Sequence, residues 1–344
     1  MSAGSPKGIL RPGWSAEVED YAIAGGWTRD GELLVVGDAA GGVFGFDGTS
    51  GATRWAHSGI HVGGLLALAV HPSGDRIATA GQDGQVRIWN ARDGELVCRL
   101  PVGPGWVEHV CWSADGARLA ATLSRRVHVY SADGEKAWES AEHPSTVSAL
   151  AWAGTHELAT ACYGRVAFFA ASSGELQQSL EWKGSLVSMV LSPDGNVVAC
   201  GSQDNSVHFW RRSTGQDSMM SGYSGKPSVL AFDATGRILA TGGGETVTVW
   251  SFAGGGPEGT RPGLLDLHVQ PITALSFARR GMRLASGGRD GAVAVWSLGS
   301  DGEGGVVGAV LVTDPVAALA WRPDGRALAA LDARGEVHVW RVRQ

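Results

Sequence analysis

Eight aromatic residues recur along the 344-residue chain at intervals of 39–46 residues: Phe46, Trp89, Tyr130, Phe169, Trp210, Trp250, Trp296 and Trp340. Four short apolar or alternating runs accompany each of them, and turns marked by Gly, Pro or Asp separate the runs. Together the period, the strand count and the turn chemistry predict an all-β fold: an eight-bladed β-propeller of four-stranded antiparallel blades. The alternative is a seven-bladed ring with one irregular unit.

Residues 61–100 show the unit most clearly. Leu65–Val70 is apolar, and His71-Pro72-Ser73-Gly74 is turn chemistry. Residues 77–80 are apolar again, Gly81-Gln82-Asp83-Gly84 is a tight turn, and Val86-Arg87-Ile88-Trp89 alternates. Asp93-Gly94 then leads into a fourth run over 95–100. The last unit stops straight after its third strand, at Val339-Trp340-Arg341-Val342. Its open edge needs a partner, and residues 8–15, with Ile9, Leu10 and Trp14, are expected to complete it and close the ring. Pro12 suits such an outer edge, where one N–H goes unused. The chain is thus expected to be one domain over residues 1–344. Two long Gly/Pro-rich segments, 253–263 and 299–305, are expected as flexible loops on one rim.

Composition narrows the function classes. With 44% hydrophobic and 18% charged residues, the chain has the make-up of a soluble globular protein. Its 28 basic residues include only four Lys, and no basic run exceeds two residues. With a net charge of −6, this argues against nucleic acid and against a basic membrane-binding surface. The Arg, Ala and Gly usage is typical of GC-rich bacterial genomes. No signal-peptide core stands at residues 1–8 and no run is long enough to cross a bilayer, so a cytoplasmic location is expected. Cys98, Cys111, Cys162 and Cys200 lack CxxC spacing and read as reduced thiols.

The run Leu284-Ala285-Ser286-Gly287-Gly288-Arg289-Asp290-Gly291-Ala292-Val293-Ala294-Val295-Trp296 resembles the WD-repeat family, as do the turns Ser192-Pro193-Asp194-Gly195 and Arg322-Pro323-Asp324-Gly325. The resemblance covers nearly the whole chain and suggests a stand-alone bacterial member. One departure is that the Asp usual after the third-strand aromatic survives only as Asp47. The resemblance implies a structural tetrad of His, Ser/Thr, Asp and Trp in each full blade. Two units match it, His61, Thr79, Asp83, Trp89 and His268, Ser286, Asp290, Trp296; a third keeps His143 and Thr160. A His–Ser–Asp set also suggests a hydrolase triad. Here it repeats with the blades, so a bracing role is expected and no catalytic residue is assigned. Trp182 and Tyr223 stand where the tetrad His belongs and are read as structural replacements.

The other chemistry-bearing residues do not form a known pattern. His128, His208 and His338 occupy equal places in three third strands, where half-exposed strand surface is expected. With no HxH, HExxH or Cys/His cluster, no metal and no cofactor are expected. The Gly-rich stretches lack phosphate-loop context, and the single turn at 131–138 that resembles a sialidase-type Asp box has its Gly one place off.

Binding residues are sought where units depart from the rule, on the loops that join fourth to first and second to third strands. Trp106 intrudes before a first strand, Arg125 and Arg126 occupy a shortened turn, and Tyr163 occupies another. Gln82, Gln203 and Arg289 precede the turn Asp in three units. Arg and aromatics are enriched at protein interfaces. The expected function is therefore a non-catalytic scaffold that binds a protein or peptide partner on the channel face or rim, as a monomer or within a hetero-complex. An accessory protein or enzyme that holds a small ligand or metal at the channel through Cys162, His109 and Tyr163 is the alternative. A passive assembly module that uses the outer strands or rim loops is a third reading.

Overall fold

The computed structural model describes residues 4–343. All regular structure among them is β, and burial follows strand position. Second and third strands such as Leu33–Asp38, Ile238–Gly242 and Gln85–Asn90 are buried along most of their length. Fourth strands such as Leu96–Pro101 and Gln216–Met220 are largely exposed. Interior strands meet neighbours on both faces, so small apolar residues dominate them: Ala78 and Ala80 flank Thr79, and all three are fully buried.

The strands form seven sheets, which corrects the expectation of eight blades: the fold is all-β with seven β-propeller blades. The fourth and fifth sequence units share one six-stranded sheet, because two of their connections never leave strand conformation. Glu157–Ala170 runs through the shortened turn at Tyr163, and Leu176–Leu191 serves as outer strand of one unit and inner strand of the next. The link Trp182-Lys183-Gly184 has one Gly and no Pro to break it.

The chain divides into two compact units. The unit of residues 15–183, with 334–336, begins with the sheet of Ala22–Trp27, Leu33–Asp38, Val43–Asp47 and Thr53–His57. The sheet from Leu65–Val70 to Leu96–Pro101 follows, then that from Val110–Trp112 to Lys136–Glu139. Indoles tie these sheets together: Trp55 Nε1 donates to Ala91 O at 2.9 Å, Trp138 Nε1 to Ala171 O at 2.8 Å, and Trp112 Nε1 to Ala69 O at 3.2 Å.

The other unit holds residues 184–333, those from 337 on, and the described residues up to 14. Its last sheet is ordered Leu10–Glu17, Glu336–Val342, Ala327–Asp332, Val316–Trp321, so the N-terminal strand is outermost. Leu10 is fully buried, Arg343 N donates to Ile9 O at 3.0 Å, and Arg341 Nε to Pro12 O at 3.0 Å. A short strand that the sequence did not suggest, Lys7–Gly8, adds a fifth member to the neighbouring sheet beside Gly304–Leu311. The long segment 253–263 is anchored: Glu258 is gripped by both terminal nitrogens of Arg211, one of them at 2.9 Å.

Two histidines expected at half-exposed strand surface are buried instead, His128 and His208. Their strands are interior to the sheets, and the outer strands bring carboxylates to them. Glu139 lies 3.5 Å from His128, and Asp217 lies 3.2 Å from His208.

Candidate functional site

The two His-Ser/Thr-Asp-Trp sets assemble as closed hydrogen-bond networks. In the first, Thr79 Oγ1 sits 2.9 Å from His61 Nε2 and accepts the Trp89 indole at 2.9 Å, while His61 Nδ1 lies 2.9 Å from Asp83. Arg87 joins this set, 2.9 Å from Asp83. In the second, Ser286 Oγ lies 2.8 Å from both His268 Nε2 and the Trp296 indole, and His268 Nδ1 is 3.1 Å from Asp290. Both hydroxyls, of Thr79 and Ser286, are fully buried and occupied by these bonds, so neither faces an open cleft as a nucleophile would. Burial holds the His61 imidazole below its ordinary pKa of 6.5, against the pull of Asp83. Burial opposes ionisation of Asp83 too, but hydrogen bonds from His61 and Arg87 outweigh it and keep the carboxyl below its usual range.

Tyr223 takes the histidine's place chemically as well as in sequence. Its hydroxyl is 2.9 Å from Thr241 Oγ1 and accepts the Trp250 indole at 2.9 Å. His143 bonds Thr160 at 3.0 Å and turns its Nδ1 to the Arg125 carbonyl at 3.0 Å, where an Asp is missing.

In the unit of residues 15–183, the candidate binding residues fall on two groups of loops, one at Gln82 and Trp106 and the other at Arg125, Arg126 and Tyr163, each braced by bonds from the backbone. Gln82 N donates to Gly64 O at 3.0 Å and Val107 N to Gly81 O at 3.1 Å. Val147 N donates to Ser124 O at 2.9 Å, His143 N to Arg125 O at 2.8 Å, and Tyr163 N to Ser145 Oγ at 2.8 Å. Val107 is fully buried and pins its loop; the preceding Trp106 is 56% exposed. Tyr163 is 58% exposed. The sequence reading missed Val62, which is 78% exposed on the first of these loops, because a Val beside a tetrad His reads as the start of a strand.

The two arginines of the shortened turn are largely committed within the chain. Arg125 Nε donates to His143 O at 2.8 Å, and Arg126 pairs with Glu139 at 2.6 Å. Glu142 lies 3.6 Å from the first and 3.5 Å from the second. Bonds from Lys136 and Arg126 pull the Glu139 carboxyl down to about 2. Ser124 has a φ of 53°, the left-handed region that a Gly usually fills. In the other unit Gln203 and Arg289 are exposed, each with its N–H bonded across a loop, to Ser185 O and Pro271 O at 2.9 Å.

No hydrogen bond or ion pair among the described residues joins His109 to Cys162 or Tyr163. His109 donates its N–H to Thr122 Oγ1, and Cys162 contacts the carbonyls of Tyr163 and Arg165. No helix among the described residues is long and apolar enough to cross a membrane.

The comparison with known proteins follows the same pattern. Residues 174–211 and 259–297 match the profile described as WD domain, G-beta repeat. The second stretch contains the whole His268 tetrad. Residues 39–181 match a profile described as outer membrane protein assembly factor BamB. Telomerase protein component 1 of Mus musculus is 24% identical over 282 residues, 80% of this chain and 10% of that protein. Autophagy-related protein 16 of Arabidopsis thaliana is 24% identical over 303 residues, 81% and 56% of the two chains. Eukaryotic translation initiation factor 3 subunit I of Emericella nidulans is 25% identical over 303 residues, 78% and 89%. The chain thus spans a tenth and about half of the first two. These relatives are eukaryotic and lend no support to a bacterial source. Among solved structures, the computationally designed Ika8 protein superposes with a TM-score of 0.82 at 21% identity, over 95% of this chain and 98% of that one, a likeness of fold.

Proposed function

We propose that the chain is a non-catalytic interaction platform, and that the loop surface of the unit of residues 15–183 docks a protein or peptide partner. One observation carries this reading: Val62 and Trp106 stand exposed on loops braced by backbone bonds at Gln82 and Gly81, and Tyr163 stands exposed where its N–H is held by the Ser145 hydroxyl. Exposed aromatics on a braced scaffold are the residues that anchor interfaces. Gln82, Arg125 and Arg126 form the polar surround. Two relatives are named as a component and a subunit of larger assemblies, which agrees with a protein partner. A cytoplasmic location belongs to the same proposal, as does a separate contribution of Gln203 and Arg289 in the other unit.

Affinity capture from the native cell tests the surface. Capture of a stable partner should fall by about tenfold or more with Trp106→Ala, as for an interface anchor worth about 2 kcal/mol. Arg125→Glu should weaken it as well. Capture that survives both changes would exclude this surface.

A further inference from the structure

The loops of Val62 and Trp106 continue a series of bonded loops that begins at residues 17–21. Ala39 N donates to Tyr21 O at 2.8 Å, and Ile60 N to Gly41 O at 2.8 Å. The Ser58 hydroxyl donates to Glu19 at 2.5 Å. Gln82 N and Val107 N then link the loop of Val62 to that of Trp106, through Gly64 O and Gly81 O. Three apolar side chains stand out from this series: Val62, Trp106 and Tyr21, the last 39% exposed.

Charge is one-sided along these loops. Residues 17–21, 38–42, 57–64, 81–85 and 101–109 contain six carboxylates and no Lys or Arg. Two of the six belong to the fold. Asp38 is fully buried and accepts from the N–H groups of Glu19, Asp20 and Gly42. Asp83 is held by Arg87 and His61. Of the other four, Glu17, Glu19 and Asp20 are exposed and Glu108 is half-buried. Among the described residues, no Lys or Arg forms an ion pair with any of them. One guanidinium comes alongside: Val18 N donates to Gly335 O, next to Arg334, which is itself engaged within the chain. On the Tyr163 side the cations have their own acids. Arg126 and Lys136 pair with Glu139, and Glu142 lies 3.6 Å from Arg125.

Two independent features thus coincide on one surface. Exposed Trp and Tyr supply anchors for an interface, and their ring faces also attract guanidinium and ammonium groups. The carboxylates give the surface a sign, which favours a cationic partner and steers its approach. We propose that the partner docked here presents a basic segment, with Arg or Lys side chains against Glu17, Glu19, Asp20 and Glu108 and an apolar residue against Val62 and Trp106. This rests on the loop surface being the docking face, and it adds the chemistry of what docks there.

Titration of the full chain with fluorescein-labelled Ala-Arg-Ala-Leu-Arg-Ala, followed by anisotropy, tests the sign. It should bind more tightly than Ala-Gln-Ala-Leu-Gln-Ala by about tenfold or more, and added salt should shrink the difference. The combined change Glu17→Gln, Glu19→Gln and Asp20→Asn keeps size and acceptor atoms and should remove most of that preference. Trp106→Ala should weaken both peptides. Equal binding of the two peptides, or binding of neither, would overturn the proposal, as would a preference that the neutralised variant retains. Capture from the native cell separates this from the docking reading. A partner lost with Trp106→Ala but held in full by the neutralised variant would leave the surface standing and remove the basic segment. A partner that survives both Trp106→Ala and Arg125→Glu would remove both.

Discussion

Thr79 shows at residue scale why the polar set of its sheet is a brace. Its hydroxyl is the shared atom of the network, the acceptor for the Trp89 indole and the partner of His61 Nε2. It is fully buried, so no water can replace it. A buried polar group that loses its partner costs about 1–3 kcal/mol. Thr79→Val keeps the shape and strands two such groups, the indole N–H and the imidazole nitrogen. A loss of about 2–4 kcal/mol is expected in urea unfolding followed by tryptophan fluorescence. A loss under about 0.5 kcal/mol, within ordinary surface variation, would mean the network is not bracing the sheet. Tyr223 shows that the requirement is for the bonds and not for the imidazole, since its phenol occupies both the hydroxyl and the indole of its own sheet.

At the scale of elements, the turns between third and fourth strands carry the joints between sheets. Trp55 stacks on Gly94 as its indole donates to Ala91 O, and Trp138 treats Gly174 and Ala171 in the same way. Gly94 has a φ of 74°, and a Cβ there would lie 2.7 Å from the Trp55 ring. Gly215 has nearly the same φ, 70°, with nothing within 4 Å of its Cβ position. Both glycines meet the backbone demand, and only the first also admits a neighbour. Gly94→Ala should therefore cost about 2–4 kcal/mol, backbone strain plus overpacking, and Gly215→Ala about 1 kcal/mol. Thermal unfolding of the two variants compares them directly; equal shifts would remove the packing role of Trp55. These joints were half legible. The glycines of these turns stand in the sequence, but which indole packs on each, and which carbonyl that indole reaches, depends on the neighbouring sheet.

Over the molecule as a whole, repetition was the legible part and continuity was not. Eight aromatics at a steady interval mark eight sequence units, whereas the number of sheets depends on whether a connection interrupts the hydrogen bonding. At Tyr163 and at Trp182-Lys183-Gly184 it does not, and no composition signal separates a shortened turn from a continuous strand. Trp106 was found because it breaks the repeat; Val62 was missed because it obeys it. Burial of histidines is likewise a property of stacked sheets and not of any one strand, and it has a consequence for the whole fold. Burial lowers the pKa of His61, His109, His128, His143 and His208 from the model-peptide value of 6.5. Below about pH 6.5 the unfolded chain then binds more protons than the folded one, so stability is complete above that pH and declines as pH falls toward the lowered folded values. The paired acids Asp83 and Asp290, also lowered, extend the loss in the same direction below the ordinary carboxylate range. Urea midpoints at pH 8, 6 and 5 should fall in that order. Midpoints that hold steady or rise on acidification would show that these imidazoles are not held neutral by the fold.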